Sequence, residues 1–270
     1  MFLAIGFVII FSRPVKAAAN GVILKANRTY AAYDVTGDGM KDKIRIRAAN
    51  QTDDEAYTSL TVSVNGKTAY RLKNTRFYNV IANIYTLKNG QPFLYLYAPA
   101  DNGDGPVCAL LKYTNGKFRK ALDFTEIMAG YGNHRIGEVT NLNGNKIVIT
   151  ESIVSYSLGI NAINFTYKYV NGKFVPTSRY GSYKEIYSTD GSSRYFTVNS
   201  DLPAYARPGA TAVNTTLKTG SLTKIIKCAL INRKMYIQLE CDGEIYWIKA
   251  LENPPISDSE RQFMEVRYAG

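Results

Sequence analysis

Lys112-Tyr113-Thr114-Asn115-Gly116-Lys117-Phe118 carries the pattern that decides the fold. An Asn-Gly pair reaches positive φ at little cost, as the central residues of a two-residue hairpin must. Residues of high β propensity flank it, so the stretch predicts strand, tight turn, strand. The same order returns as Lys168-Tyr169-Val170-Asn171-Gly172-Lys173-Phe174, and a fainter copy, Ser63-Val64-Asn65-Gly66-Lys67, precedes both. Further turn pairs stand at Asn89-Gly90, Asn143-Gly144 and Asp242-Gly243. Alternating runs such as Leu60–Val64 and Phe165–Tyr169 fill the space between turns. Helical periodicity is nearly absent. Asp123 to Met128 has room for a turn or two, and Ser257-Asp258-Ser259-Glu260 has the order of a capping box opening a short helix. The expected fold class is all-β.

The spacing of the copies is 50 and then 56 residues, taken from Asn65, Asn115 and Asn171. Such periods suit antiparallel sheet modules, such as propeller blades, although strand–Asn-Gly-Lys–strand is also a common hairpin. The small polar stretch Asp190-Gly191-Ser192-Ser193 follows the last copy and marks an expected boundary. The expected organisation is therefore a β-rich, partly propeller-like domain over 20–190, a small domain over 191–256, and a short tail over 257–270.

Composition agrees. Apolar residues make up 46% and charged ones 20%, the balance of a chain with a real core. Tyr occurs 21 times against one Trp, which favours half-buried pleated surfaces. The formal charge is +11, without a block of consecutive basic residues. In Lys43-Ile44-Arg45-Ile46-Arg47 the charges alternate with apolar residues, as on a solvated sheet face. The other reading of this charge is attraction to an anionic polymer: wall polymer, phospholipid surface or nucleic acid. For an exported protein the first is the natural partner, and no nucleic acid is expected.

Export is read from the opening residues. Phe2 to Phe11 is an apolar run of signal-peptide length, and Val15-Lys16-Ala17-Ala18-Ala19 offers small residues for cleavage after Ala17 or Ala19. Residues 1–19 are thus an expected signal peptide, the mature protein secreted, with no stable membrane insertion after cleavage. Three cysteines, Cys108, Cys228 and Cys241, make a poor disulfide framework. Cys228 and Cys241 flank a hairpin turning near Asn232-Arg233-Lys234, which puts Cys228 opposite about Gln238. Three free, mostly buried thiols are expected.

Asp34-Val35-Thr36-Gly37-Asp38-Gly39-Met40-Lys41-Asp42 carries chemistry. Oxygens from Asp34, Thr36, Asp38, the Met40 carbonyl and Asp42 alternate around a tight glycine turn, and hard donors suit calcium. The alternative is a hydrogen-bonded Asx turn. The stretch resembles the calcium loop of FG-GAP and VCBS-type repeats, with Thr36 where an acidic or amide residue is usual. Arg45 at the twelfth position argues against an EF-hand. Asp101-Asn102-Gly103-Asp104-Gly105 lacks a closing acid and reads as a turn.

Residues 195–251 resemble a bacterial SH3-like (SH3b) domain. The matching stretches are Leu202 to Ala210, Thr216 to Ser221, the Ile225–Leu239 hairpin and Asp242 to Lys249, with Tyr246 in place of the family's glycine before Trp247. The resemblance implies a small C-terminal SH3-like barrel and a cell-wall polymer or peptide as partner. It places candidate ligand contacts at Tyr205, Arg207 and Tyr246, with Trp247 as a core residue.

One arrangement has the residue types of catalysis. Cys108 and His134 stand in the order of wall-cleaving cysteine peptidases, but Cys108 lies in a strand pattern rather than at a helix start, where a thiolate would be stabilised. Glu126, Glu138 and Glu151 could supply a glycosidase pair. Tyr95 and Tyr97 read as sheet packing. The expected function is a secreted, wall-associated, non-catalytic binding protein of bacterial type. The alternative is a secreted wall-directed hydrolase with an unrecognised site in residues 20–190.

Overall fold

The Asn-Gly pairs turn where φ requires them. Asn115 and Gly116 adopt φ of 51° and 78°, and Thr114 pairs with Lys117 across a two-residue turn. The computed structural model describes residues 22–101 and 104–268, so the expected signal peptide and part of the Asp101–Gly105 segment lie outside the described residues.

Along the chain run β1 (Val22–Leu24), β2 (Thr29–Tyr33), β3 (Asp42–Gln51), β4 (Tyr57–Val64) and β5 (Lys67–Phe77). Next come β6 (Ile81–Thr86), β7 (Pro92–Ala98), β8 (Val107–Thr114) and β9 (Lys117–Asp123). Then follow β10 (Gly132–Asn143), β11 (Lys146–Ser155), β12 (Gly159–Val170), β13 (Lys173–Pro176), β14 (Tyr180–Ser188) and β15 (Gly191–Ser192). The chain continues through β16 (Tyr195–Thr197), β17 (Leu202–Ala204), β18 (Thr215–Leu217), β19 (Leu222–Ile231), β20 (Lys234–Cys241) and β21 (Glu244–Lys249). Phe124–Glu126 and Asp258–Glu260 are single 3-10 turns, and Ser257 makes no side-chain cap to the second. The protein is all-β and antiparallel.

The repeat corresponds to a structural unit. One sheet has the order β2-β3-β4-β5, the next β1-β6-β7-β8-β9, and the third begins β10-β11-β12 with β13 on β12. Each copy of the motif forms the last hairpin of a four-strand meander. In the two strong copies the Tyr and Phe are cross-strand partners: Tyr113 lies against Phe118 and Tyr169 against Phe174, with centroids 5.3 Å apart in both. Such ring pairs contribute beyond their buried area.

The three sheets stack. Leu94, Leu96 and Ala98 of β7 join a core shared with β3, β4 and β5, while Phe93, Tyr95 and Tyr97 of the same strand join the core shared with β10, β11 and β12. A sheet covered on both faces has no polar side, which is why β7 and β8 read as nearly continuous apolar runs.

The third sheet continues from β12 to β14, β19, β20 and β21. It therefore runs across the expected boundary near Asp190: Tyr180, Gly181 and Ser182 pair with Ala229, Cys228 and Lys227. The tail over 257–270 also packs back, with Phe263 and Val266 in the same core as Ile163 and Phe165. All three cysteines are free and buried. Cys228 stands opposite Ile237 rather than Gln238 because the hairpin turns on Asn232-Arg233, half a residue before the expected centre; the bulge between Ile225 and Lys227 lies beyond it.

Candidate functional site

The Asp34–Asp42 loop is held by its own carboxylates. Gly37 and Gly39 take φ of 81° and 85°, curling the chain around Asp34. Asp34 Oδ1 accepts from the Gly37 amide at 2.6 Å and Oδ2 from the Gly39 amide at 2.8 Å. Partial desolvation pushes the Asp34 carboxyl up, but the Gly39 and Gly37 amides with the Thr36 hydroxyl outweigh it and hold it below the usual range. Asp42 is buried, and its Oδ2 accepts from the Val35 and Thr36 amides at 2.7 and 2.9 Å. Asn65 Nδ2 donates to Asp42 Oδ1 at 2.6 Å, tying the loop to the β4–β5 turn.

The Thr36 hydroxyl lies 3.3 Å from Asp34 Oδ1 and 3.3 Å from Asp42 Oδ1, so these two carboxylates approach one point. Asp38 instead accepts from the Met40 amide at 2.8 Å, and the Met40 side chain is exposed. Among the described residues no three acidic, His or Cys side chains are grouped as a metal site. Donor types and order fit a hard cation, and Asp34, Thr36 and Asp42 are the donors brought together.

Cys108 lies between the second and third sheets. Its thiol donates to the Gly137 carbonyl at 3.4 Å, and the Tyr95 hydroxyl donates to the same oxygen at 2.7 Å. Burial, with the Glu151 charge second, pushes the Cys108 thiol up to about 12, so it is a thiol rather than a nucleophilic thiolate at neutral pH. The side chain of His134 lies outside what the structure describes. Glu151 is fully buried, and neither of its carboxylate oxygens has a hydrogen-bond partner among the described residues. Burial raises its carboxyl well above the usual range, against the lowering effect of Arg135. Glu126 is exposed and Glu138 half-buried. Surface concavities of about 420 Å³ beside β1 and about 260 Å³ between β5 and β9 contain none of these groups.

The candidate ligand residues of the C-terminal part are split between two faces. Trp247 N–H donates to the Tyr205 carbonyl at 2.9 Å, and the Tyr205 N–H to the Trp247 carbonyl at 2.7 Å. Tyr205, Trp247, Tyr236 and Ala229 form a small cluster on the outer face of the third sheet. Tyr246, the neighbour of Trp247 on β21, points the other way and packs against the main core. Tyr205 is itself buried and Arg207 exposed.

The outer face holds residues that the sequence reading missed. Tyr180 of β14 stands 5.9 Å from Trp247 between ring centroids. Lys227 Nζ lies 4.6 Å from the Tyr180 ring centre and 6.0 Å from that of Trp247. Arg179 covers Tyr180 at 5.2 Å, and Lys249 covers Tyr205 at 5.0 Å. Tyr195, Leu222 and Ile245 are exposed, and Lys224 approaches the Tyr195 ring. Trp247 and Tyr205 are buried beneath this surface, and Tyr180 and Tyr195 are exposed on it. An exposed ring beside a cation can stack on a sugar or peptide group while the cation pairs with its acid. The β14–β19 pairing that assembles this face is non-local, and no short motif announces it.

The fold and these sites define an all-β protein of stacked antiparallel meanders with an aromatic, basic outer face. Compared with protein-family models, with curated proteins and with solved structures, the chain matches none.

Proposed function

We propose that this is an exported, non-catalytic binding protein of the bacterial cell wall, whose ligand face is the outer surface of β14, β19, β20 and β21. The observation that carries the reading is Lys227 set over both Tyr180 and Trp247. The C-terminal segment that resembles SH3b domains supplies β17 to β21, and the ligand is a wall peptide or glycan bearing a carboxylate. Tyr205 borders this face, Arg207 is exposed two residues further on, and Tyr246 supports the face from behind. The high thiol pKa of Cys108 and the enclosure of Glu151 support a non-catalytic role.

Calcium belongs to the same proposal. Asp34, Thr36 and Asp42 would hold it, with Asp38 and the Met40 carbonyl completing the donor order, and its charge would offset two carboxylates that share one hydroxyl. Sedimentation with purified cell walls, with and without chelator, tests the function. The protein is expected in the wall pellet, and Tyr180→Ala combined with Lys227→Ala should weaken retention about tenfold, as the loss of one aromatic–cation contact of about 1–2 kcal/mol implies. Protein that stays in the supernatant, or a double variant retained like the parent, would overturn the reading.

A further inference from the structure

A second face, at the opposite end of the stack, has a different chemistry. On the outer side of the first sheet, Arg47 of β3 pairs with Thr61 of β4, and Thr61 pairs with Arg71 of β5. One row along, Ser59 pairs with Lys73, and on the other side Ser63 pairs with Arg45. Lys43, Arg45, Arg47, Arg71 and Lys73 are all exposed. The strand between the cations presents only hydroxyls: Ser59, Thr61 and Ser63.

A solvated sheet face ordinarily sets opposite charges across strands, as Lys224 and Glu240 do on the third sheet. Here no strand position on the face carries an acid. The ion pairs described elsewhere join Arg76 to Asp54, Lys120 to Asp123, Lys218 to Asp201 and Arg261 to Asp258, and none uses these five side chains. Arg71 donates to the Thr68 hydroxyl at 3.3 Å. Five like charges held on one pleated, exposed surface repel one another through water and salt, and a partner of opposite sign would find them already gathered.

The face also lacks rings. Tyr30, Tyr33, Tyr57 and Tyr70 of the same sheet all turn to the other side, against the apolar core. A single-stranded nucleic acid is held by stacking its bases on aromatic side chains, which this surface does not offer. Alternate residues of a strand lie roughly 6.8 Å apart and neighbouring strands about 4.8 Å apart, so the arginines form a grid at the scale of successive charges on an extended chain. We infer that this face binds a phosphodiester polymer without bases, a polyol-phosphate chain, with the arginines and lysines on its phosphates and the hydroxyl strand on the polyol. The inference concerns a different face from the wall-ligand site above and does not depend on it.

The test titrates fluorescent poly(glycerol phosphate) into the full chain at several salt concentrations. Binding should weaken with salt, with a log–log slope of about −3 if four phosphates are engaged. The variant R45Q/R47Q/R71Q/K73Q should lose at least about tenfold in affinity and flatten that slope, with a thermal midpoint no lower than the parent's because all four side chains are exposed. A charge-matched variant, K146Q/K168Q/K173Q/K184Q, should bind like the parent. Equal loss in the two variants would reduce the effect to net charge and overturn the site. Parent-like affinity in the first variant would do the same. Single-stranded DNA of equal phosphate number should bind more weakly, and equal or tighter binding would overturn the polyol-phosphate assignment in favour of nucleic acid.

Discussion

Glu151 lies against Gly137, its cross-strand partner, so closely that a methyl group on Gly137 would meet Glu151 Oε1 at 2.3 Å and the Phe124 ring at 1.9 Å. The missing side chain at position 137 is what gives the buried carboxyl its room. Asp123 and Cys108 approach the same group, and among the described residues Arg135 is the cation that acts on it.

Stability should therefore fall as pH rises. Burial raises the Glu151 carboxyl above its unfolded value, so from about pH 4.3 upward the folded state holds a proton that the unfolded state has lost. The contribution is fully present below that value and is lost progressively toward the folded one. Glu151→Gln keeps the shape and removes the titration. It should raise the midpoint at pH 8 by a few degrees and leave it nearly unchanged at pH 4. A parallel shift at both pH values would place the effect in packing alone.

Gly137→Ala should destabilise at every pH. The added methyl meets a ring and a carboxyl inside a packed interface, and such overpacking costs about 1–3 kcal/mol. Denaturant titration should show a lower midpoint with an unchanged slope.

Much of the fold is legible in local sequence because hairpins are local. Asn115-Gly116 and Asn171-Gly172 name their own turns, and the Tyr and Phe beside them become the ring pairs of the meander ends. What sequence leaves open is long-range. Nothing near Tyr180 says that it will lie beside Ala229, so neither the shared sheet nor the Tyr180–Trp247–Lys227 arrangement is visible. Tyr246 and Trp247 must face opposite sides of β21, but which of them faces the main core depends on that pairing. The loop at Asp34–Asp42 is the reverse case: its donors are adjacent in sequence, and Thr36 brings two of the three carboxylates together. The basic face stands between these cases. Alternation in β3 is plain, but Arg71 and Lys73 join Arg45 and Arg47 only through the bulge in the β4–β5 register between Val62 and Ser63.

Calcium should raise the thermal midpoint relative to chelator, by about 2.7 kcal/mol of stability at a hundredfold excess over the dissociation constant. Asp38→Asn retains an oxygen for the Met40 amide, so it should weaken the calcium response without unfolding the protein. Asp42→Asn is different, because one carboxylate oxygen accepts from Asn65 and the other from the Val35 and Thr36 amides, and Asn keeps only one of the two, so it should destabilise with or without calcium. Identical wild-type midpoints in calcium and chelator would make the loop a hydrogen-bonded turn.

The last prediction concerns how far the C-terminal part can stand alone. A fragment of residues 192–256 contains β16 to β21 and the Trp247 cluster, yet it lacks two of its neighbours. β14 is gone, which leaves the Ala229, Cys228 and Lys227 edge of β19 unpaired and Ile225 and Cys228 without Ile163, Phe165 and Tyr183. The segment after 256 is gone as well, and with it Phe263, which is fully buried 5.9 Å from Phe196. That segment is also tied by backbone: the Met264 N–H donates to the Thr197 carbonyl at 3.0 Å, and the Thr189 and Ile160 N–H groups to the Glu265 and Arg267 carbonyls at 2.9 Å. The full chain should accordingly unfold in one transition, and the fragment should show no cooperative heat absorption. Phe263→Ala in the full chain should cost about 3–5 kcal/mol, a fall of roughly 6–20 °C in the midpoint at this size. A sharp calorimetric transition in the 192–256 fragment would show that β17 to β21 close on themselves and that the shared sheet is dispensable.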